Sequence, residues 1–456
     1  MPGHTIRRMH FRAISWVLIG LVLLLAQLSG AQVIRPSLSL HRSPNQYTII
    51  AGNALFEESP QGPAEFDFGD AGSPFNVLTG FNAAHIYQKP GDYTLTLHRA
   101  GQPDIKKPVH VVPDNRQIIR LAPGTDFELF LRRLPNNCVV LMPCGQTFTN
   151  SRPTEIAARN VCFRADGQGP PPCIKRGAGF SYSSIVVRSS DVTFDGITFD
   201  SDKPSDKYHG RVSYRGVTSD GARLVLKQCT FRNIDVCMFC NPSTRGLLVQ
   251  WCTITPEVRT YGIWLDGADV VVLGSTFRDS QEEHNIRADE VGFHNLLLYQ
   301  DDFTNTHGKE TFTFRVGENA YISHCAFHNW VRLGPTPRKD PMTPEELRTR
   351  HASHIVFTNN RLDDKAWLNI DEGASDVLIR YNKIDQDTVG VPLRAQGPNL
   401  KDIRIIDNIR NLTAGPTAKP FIRQWQTEPG NIVEKGTRDE DAKVPETRPG
   451  KWSRSH

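Results

Sequence analysis

From residue 189 onward one pattern recurs: a short apolar run, a small or polar residue, then an aromatic or aliphatic anchor. It reads DVTFDGITF, RLVLKQCTF, GLLVQWCTI, DVVVLGSTF, NLLLYQDDF, NAYISHCAF, HIVFTNNRL and DVLIRYNKI. The anchors are Phe199, Phe231, Ile254, Phe277, Phe303, Phe327, Leu362 and Ile384, separated by 32, 23, 23, 26, 24, 35 and 22 residues. A basal period of 22 to 26 built from β-rich segments, with no helical pattern between them, predicts a parallel β-helix. The two long steps mark insertions at about 203–216 and 335–352, and loops leaving a solenoid tend to build its binding face.

Aligning the repeats places Cys229, Cys252, Ser275, Asp301, Cys325, Asn360, Asn382 and Asn408 in one column. Small polar residues stacked at a β-helix turn bond to one another and to freed backbone groups, so the column is structural. It also accounts for two cysteines near the CxxC of Cys237 and Cys240, which lacks the second pair that a zinc site needs. Cys138 with Cys144 and Cys162 with Cys173 are candidate disulfides.

The ends read differently. Arg7, Arg8 and Arg12 precede an apolar run from Ile14 to Ala26, about 13 residues against the roughly 20 of a bilayer span, and Ser29-Gly30-Ala31 follows. This predicts a signal peptide over 1–31, export to the periplasm, cell surface or medium, and no membrane association after cleavage. The alternative is an uncleaved N-terminal anchor. Residues 36–113 alternate as in a small β-sandwich. Phe66-Asp67-Phe68-Gly69-Asp70, His85-Ile86-Tyr87 and 91–97, GDYTLTL, resemble a PKD domain, an immunoglobulin-like module whose Gly-Asp turn is structural; it is expected to act as a spacer or weak contact module. Residues 111–115 form a linker, and 126–134 form a short helix capped by Asp126 that can cover the first coil. The β-helix is expected over 118–425, with a disordered, charge-rich tail over 429–456. A net charge of +4 on 456 residues gives no reason to propose a nucleic-acid partner. The protein is expected to be a monomer.

The stretch 282–317, EEHNIRADEVGFHNLLLYQDDFTNTHGKETFTFRVG, carries the candidate chemistry. Side chains alternate along a strand, so with Ile286 and Phe314 inside, Arg287 and Arg315 point out on neighbouring coils. Stacked cations repel unless an anion lies beside them. The alignment puts Asp266, Arg287, Arg315 and Asp371 in one outward column, with Arg332 a further member. Glu283, Asn285, Lys309 and Thr313 share that face under the same alternation; Glu282, His284, His307 and Glu310 are close by in sequence. Trp264 and Trp367 stand at either side, where they can stack on sugar rings.

These features together resemble the pectin-lyase-like superfamily of all-β, right-handed parallel β-helix proteins, here about ten coils behind the PKD-like module. NIRADE followed by FTFRVGENAYISHCAF is similar to the active-site coils of the alginate lyase and chondroitinase B family. The resemblance implies an acidic polysaccharide substrate and β-elimination at a uronic acid. Arg315 then assists the leaving oxygen, Arg287 stands where the family has its lysine base, and Glu282 and Glu283 fall near its calcium ligands. Arg287 departs from that lysine, which leaves Lys309 as a second candidate base. His284, Asn285, Trp264, Asp266 and Asp371 are candidate substrate contacts. Two alternatives stand beside this reading: a non-catalytic glycan-binding or cell-surface β-helix, and a glycoside hydrolase, which needs two carboxylates at defined separation.

Overall fold

The computed structural model describes residues 40–42, 48–51, 63–177, 183–201, 214–289, 293–304, 309–336, 341–363, 366–386, 393–412, 422–425 and 431–441. The segment 1–31, expected to be a signal peptide, and His307 lie outside them. The repeat folds as expected, into three long parallel sheets in which each strand from Cys138–Pro143 onward pairs with the strand three further along the chain. A 13-stranded sheet, here the flank sheet, runs from Gln117–Arg120 to Ile432–Lys435. A 12-stranded corner sheet runs from Thr147–Asn150 to Arg438–Asp441, and an 11-stranded site sheet from Thr154–Ile156 to Ile422–Trp425. The result is a solenoid of about eleven turns of the right-handed type.

The anchors pair in register along the corner sheet, and all eight are buried. Their rings stack at the strand spacing: Phe199–Phe231 and Phe277–Phe303 at 4.9 Å, Phe303–Phe327 at 5.0 Å. Before each ladder residue stands one with positive φ: Gln228, Trp251, Gly274, Gln300, His324, Asn359, Tyr381 and Asp407. This left-handed residue turns the chain sharply from flank to corner sheet and frees backbone groups. The polar column collects them: Ser275 N donates to Asp301 Oδ1 (2.7 Å), Cys325 N to Asn360 Oδ1, Asn360 N to Asn382 Oδ1 and Asn382 N to Asn408 Oδ1. At Gly274 a side chain would also strike Trp251, 2.5 Å from its Cζ3.

The capping helix spans Phe127–Arg132, with Asp126 accepting from Leu129 N at 2.9 Å. Phe127 and Leu131 close the first coil, the former 5.6 Å from Phe148. The insertion over 335–352 contains a second helix, Pro344–Thr349, with a capping box between Thr343 and Glu346. Three expectations are corrected. Strands at Ile432–Lys435 and Arg438–Asp441 continue the solenoid into the segment expected to be a disordered tail; 442–456 lie outside the described residues. Arg215–Ser219 is a strand of the site sheet, so the first insertion ends sooner. All nine cysteines are free: Cys138 and Cys144 stand six extended residues apart, roughly 20 Å, and Cys162 and Cys173 lie on different sheets. Cys237 and Cys240 are buried in the solenoid core.

N-terminal residues form two antiparallel sheets. Four strands lie in the order Val77–Gly80, Ala64–Asp67, Gly91–His98, Ile105–Val111, and three in the order Leu40–Arg42, Thr48–Ala51, Ala83–Ile86. The Gly-Asp turn is structural: Asp67 Oδ1 accepts from Gly69 N and Asn76 Nδ2, and Asp70 Oδ2 lies 3.0 Å from His85 Nε2. The expected spacer is instead packed onto the solenoid. Val225, Leu248, Val271, Leu297, Tyr321, Val356 and Leu378 form one outward column on the flank sheet and share a hydrophobic cluster with Phe75, Leu78 and Phe81. Asn82 Nδ2 donates to the carbonyls of Val270 and Asn295 at 3.1 and 3.2 Å. Asp114 and Arg116 pair at 2.7 Å, with the arginine side chain buried, where the linker meets the first coil.

Candidate functional site

The site lies on the outer face of the site sheet. Ile286 pairs with Phe312 and Arg287 with Thr313, so Arg287 and Arg315 are not in one column as the simple alignment has it. One outward column runs Phe239, Trp264, Arg287, Thr313, Arg332, Asn369, Arg394. Two residues further along each strand, a second runs Asp266, Asp289, Arg315, Gly334, Asp371, Gln396. The two arginines are therefore diagonal neighbours, and Arg332 belongs to the column of Arg287, two strands on.

Strict alternation also fails at the start of these strands. In the two preceding coils the ladder register skips Cys237 and Gly262, and one coil on, Asn285 and Ile286 are consecutive and both fully buried. Such a local irregularity lets two successive side chains point inward. Asn285 is thus a structural residue, its Nδ2 donating to Thr304 O at 2.9 Å, and no substrate contact. His284, three residues before Arg287, turns to the arginines' side instead, with Arg315 Nη2 3.1 Å from its Nε2.

A continuous network results. Asp289 takes a hydrogen bond from Arg287 Nη2 and stands 3.6 Å from Arg315 Nη1, supplying the anion that two neighbouring guanidinium groups require. Arg287 Nη1 also donates to the Tyr261 hydroxyl at 2.7 Å. His284 Nδ1 faces Glu310 O at 3.0 Å. Because Arg315 can only donate, the ring carries its hydrogen on Nδ1 and presents a lone pair at Nε2. Arg332 donates to Glu310 Oε1 through Nε (2.8 Å) and Nη2 (2.6 Å), and its Nη1 lies 3.2 Å from Asp371 Oδ2. Gln396 Nε2 donates to Asp371 Oδ1 at 2.7 Å.

Burial and neighbours set the charges. Desolvation, outweighing the pull of Glu310, drops the His284 pKa to about 4, so the imidazole is neutral at pH 7. Burial raises Asp371 to about 7 against the opposing effect of Arg332. Burial, with Arg287 nearby, lowers the Arg315 pKa despite Asp289 and Glu310. For Arg287 burial acts in the same sense, but Tyr261 and Asp289 outweigh it and the net direction is upward. An arginine held charged in this way is a poor general base, so the expectation that Arg287 takes the lysine's part is not supported.

Four buried polar atoms in this patch have neither a hydrogen bond nor an ion-pair partner: Arg287 Nε, Asp289 Oδ1, Thr313 Oγ1 and Arg315 Nε. Unsatisfied buried groups are costly, and their gathering at one place marks a site that a polar ligand or water completes. Lys309 is half-exposed at the edge, 3.6 Å from Glu283. Trp264 Nε1 donates to Asp266 Oδ1 at 2.9 Å, and the indole lies under Arg287, whose Cζ is 4.9 Å from the ring. Trp367 stacks on Trp330 at 4.3 Å and carries Arg394 at 4.1 Å.

The two carboxylates expected to bind calcium each already face a cation. Glu282 accepts from Arg259 Nε at 2.8 Å, and Glu283 faces Lys309 and His284. Among the described residues no three His, Cys, Asp or Glu side chains gather as a cation requires. The sequence reading did not single out Asp289 or Tyr261, and left Glu310 and Arg332 without a role. NIRADE places Asp289 two residues after Arg287, the one signal that could have shown the arginines' counter-ion.

No family model and no curated protein matches the chain. Among solved structures, a family 28 exopolygalacturonase from Yersinia enterocolitica aligns at TM-score 0.45 and 10% identity, over 90% of this chain and 100% of that one. The A-module of a mannuronan C-5 epimerase from Azotobacter vinelandii aligns at 0.44 and 10%, over 69% and 93%. An alginate lyase from Paenibacillus aligns at 0.40 and 10%, over 69% and 99%.

Proposed function

We propose that this protein is exported and binds an acidic polysaccharide along the site sheet, cleaving it by β-elimination at a uronic acid. The observation that carries the reading is the convergence of Arg287, Arg315 and Arg332 with unpartnered buried polar atoms on three successive coils. Removing a proton beside a carboxylate becomes feasible when fixed positive charge stabilises the carbanion. Arg315 is the best placed: it leans on a neutral histidine and a shared carboxylate, so a substrate carboxylate can compete for it. Lys309, at the accessible edge beside Glu283, is the remaining candidate base and must shed its own proton to act. Guanidinium groups here supply the neutralising charge, so activity is expected to survive a chelator.

Hydrolysis is the second reading, supported by one observation. Asp266 and Asp289 occupy the same column on adjacent coils, about 4.8 Å apart at the backbone, close enough for a retaining carboxylate pair. Asp289 is already engaged by two arginines, which favours elimination. The PKD-like identity of the N-terminal sheets rests on its sequence motif, and its part here is to brace the solenoid.

The test is ultraviolet absorbance of the unsaturated product, on alginate, pectate, glucuronan and chondroitin-type polymers, with and without chelator. A rise on one polymer that is lost in Arg315→Ala is expected. New reducing ends without that absorbance would mean hydrolysis, and binding without either would mean a non-catalytic glycan binder.

A further inference from the structure

We infer that the site sheet selects its polymer by charge spacing, favouring one that turns one negative group per disaccharide toward the protein. This rests on the acidic-glycan reading above and adds a specificity to it.

The inference comes from the register. Down a single outward column the residues alternate: Arg287, Thr313, Arg332, Asn369, Arg394. Neighbouring strands lie about 4.8 Å apart, so the arginine positions recur at roughly 10 Å along the backbone, with an uncharged residue between each pair. Arg315 stands outside this column, two residues further along, and adds charge only at the centre. Before the alternation come Phe239 and Trp264; it ends where Arg394 pairs with Arg423.

Each of the three arginines is held in place. Arg287 is fixed by the Tyr261 hydroxyl and Asp289, Arg332 by Glu310, and Arg394 by its stack on Trp367, itself stacked on Trp330. A cation fixed before binding loses little further freedom when it meets an anion, so its position counts toward recognition. Thr313 and Asn369 are buried, so a carboxylate laid over either position meets no full charge in this column.

A chain of pyranose rings laid along the solenoid advances about one strand spacing per ring, roughly 5 Å. Two kinds of polymer then match. In an extended two-fold ribbon of β-1,4-linked uronic acids, successive carboxylates point to opposite sides, so every second one faces the sheet. In an alternating copolymer of a uronic acid and a neutral or amino sugar, every second ring carries the charge. Buckled chains with axial linkages present their carboxylates at other spacings.

The experiment measures binding of the full chain to polymannuronate, hyaluronan, polyguluronate and polygalacturonate at one ionic strength, by calorimetry. Polymannuronate or hyaluronan is expected to bind at least about tenfold tighter than the two buckled polymers, the size of one charge-assisted contact. Whichever of the two is preferred identifies the source of the spacing. Arg394→Ala, outside the cluster around Arg315, is expected to lose about tenfold on the preferred polymer and little on the others. Arg394→Lys, which keeps the charge, retains part of the preference and controls for folding. Asn369→Arg fills a neutral position and narrows the discrimination. Equal affinity for all four polymers, or a uniform loss in Arg394→Ala, overturns the spacing. Binding to none of them overturns the acidic-glycan reading itself.

Discussion

Two outer faces of the same solenoid carry opposite chemistry. On the flank sheet the outward column is Val225, Leu248, Val271, Leu297, Tyr321, Val356 and Leu378, packed under the N-terminal sheets. On the site sheet the corresponding positions hold Trp264, Arg287, Thr313, Arg332, Asn369 and Arg394. Both sheets bury their inner faces in one core. The backbone repeat therefore leaves the exterior free to be assigned column by column, one face to stability and the other to recognition. Removing an apolar side chain from the flank column costs packing; removing a charged one from the site column costs partners to charges that remain buried.

That division can be broken or sharpened in four ways. Arg315→Ala is expected to lower turnover by about 100- to 1,000-fold, as loss of one preorganised charge does, while Asp289 keeps Arg287 and Glu310 keeps Arg332, so the melting temperature of the chain changes little. An equal loss of both would mean that Arg315 is a structural residue. Leu297→Ala, fully buried under the N-terminal sheets, is expected to cost about 2–5 kcal/mol in denaturant unfolding. Polymer binding by the folded fraction should be unchanged.

The third concerns pH, and the two buried titrating groups of the site act in opposite senses. Asp371 holds its proton up to about pH 7 in the folded protein, against an ordinary value of 3.8, so its contribution to stability falls as pH rises through that window. His284 stays neutral down to about pH 4, against 6.5 when unfolded, so its contribution is lost as pH falls through that window. Melting temperatures of Asp371→Asn should therefore rise more steeply with pH than wild type between pH 4 and 6.5, and those of His284→Asn should rise less steeply than wild type. Parallel curves for all three proteins would contradict both assignments. The smallest effect is expected at the capped end: Asp126→Ala removes the bond to Leu129 N and should cost about 1 kcal/mol, seen as faster amide exchange in the first coil.

The solenoid was readable because its anchors recur at a nearly fixed interval, and because the polar column in Cys252, Ser275, Asn360 and Asn382 needs no long-range information. The site was readable only in part. Arg315, His284 and Lys309 lie in the patch as expected, but the alignment assumed unbroken alternation and so put Asn285 outside and Arg315 in the wrong column. The docking of the N-terminal sheets left a trace that alternation alone overlooked. GLLVQ, DVVVL and NLLLY are continuous apolar runs, which a strand with one wet face does not need. Such runs mean that both faces are covered, although they do not say by what.

The left-handed corner residue has a consequence for how such a chain can change. From flank strand through Gln228, Trp251, Gly274, Gln300, His324, Asn359, Tyr381 or Asp407 to the corner strand, the spacing is the same in each of these eight coils, so over them this edge works as a fixed spine. Across these coils, variation in length falls in the other turns, where the long steps of the repeat already lie. A lineage can therefore lengthen, shorten or exchange the loops that border the arginines without disturbing the spine, and new specificity is reached by rewriting the rim.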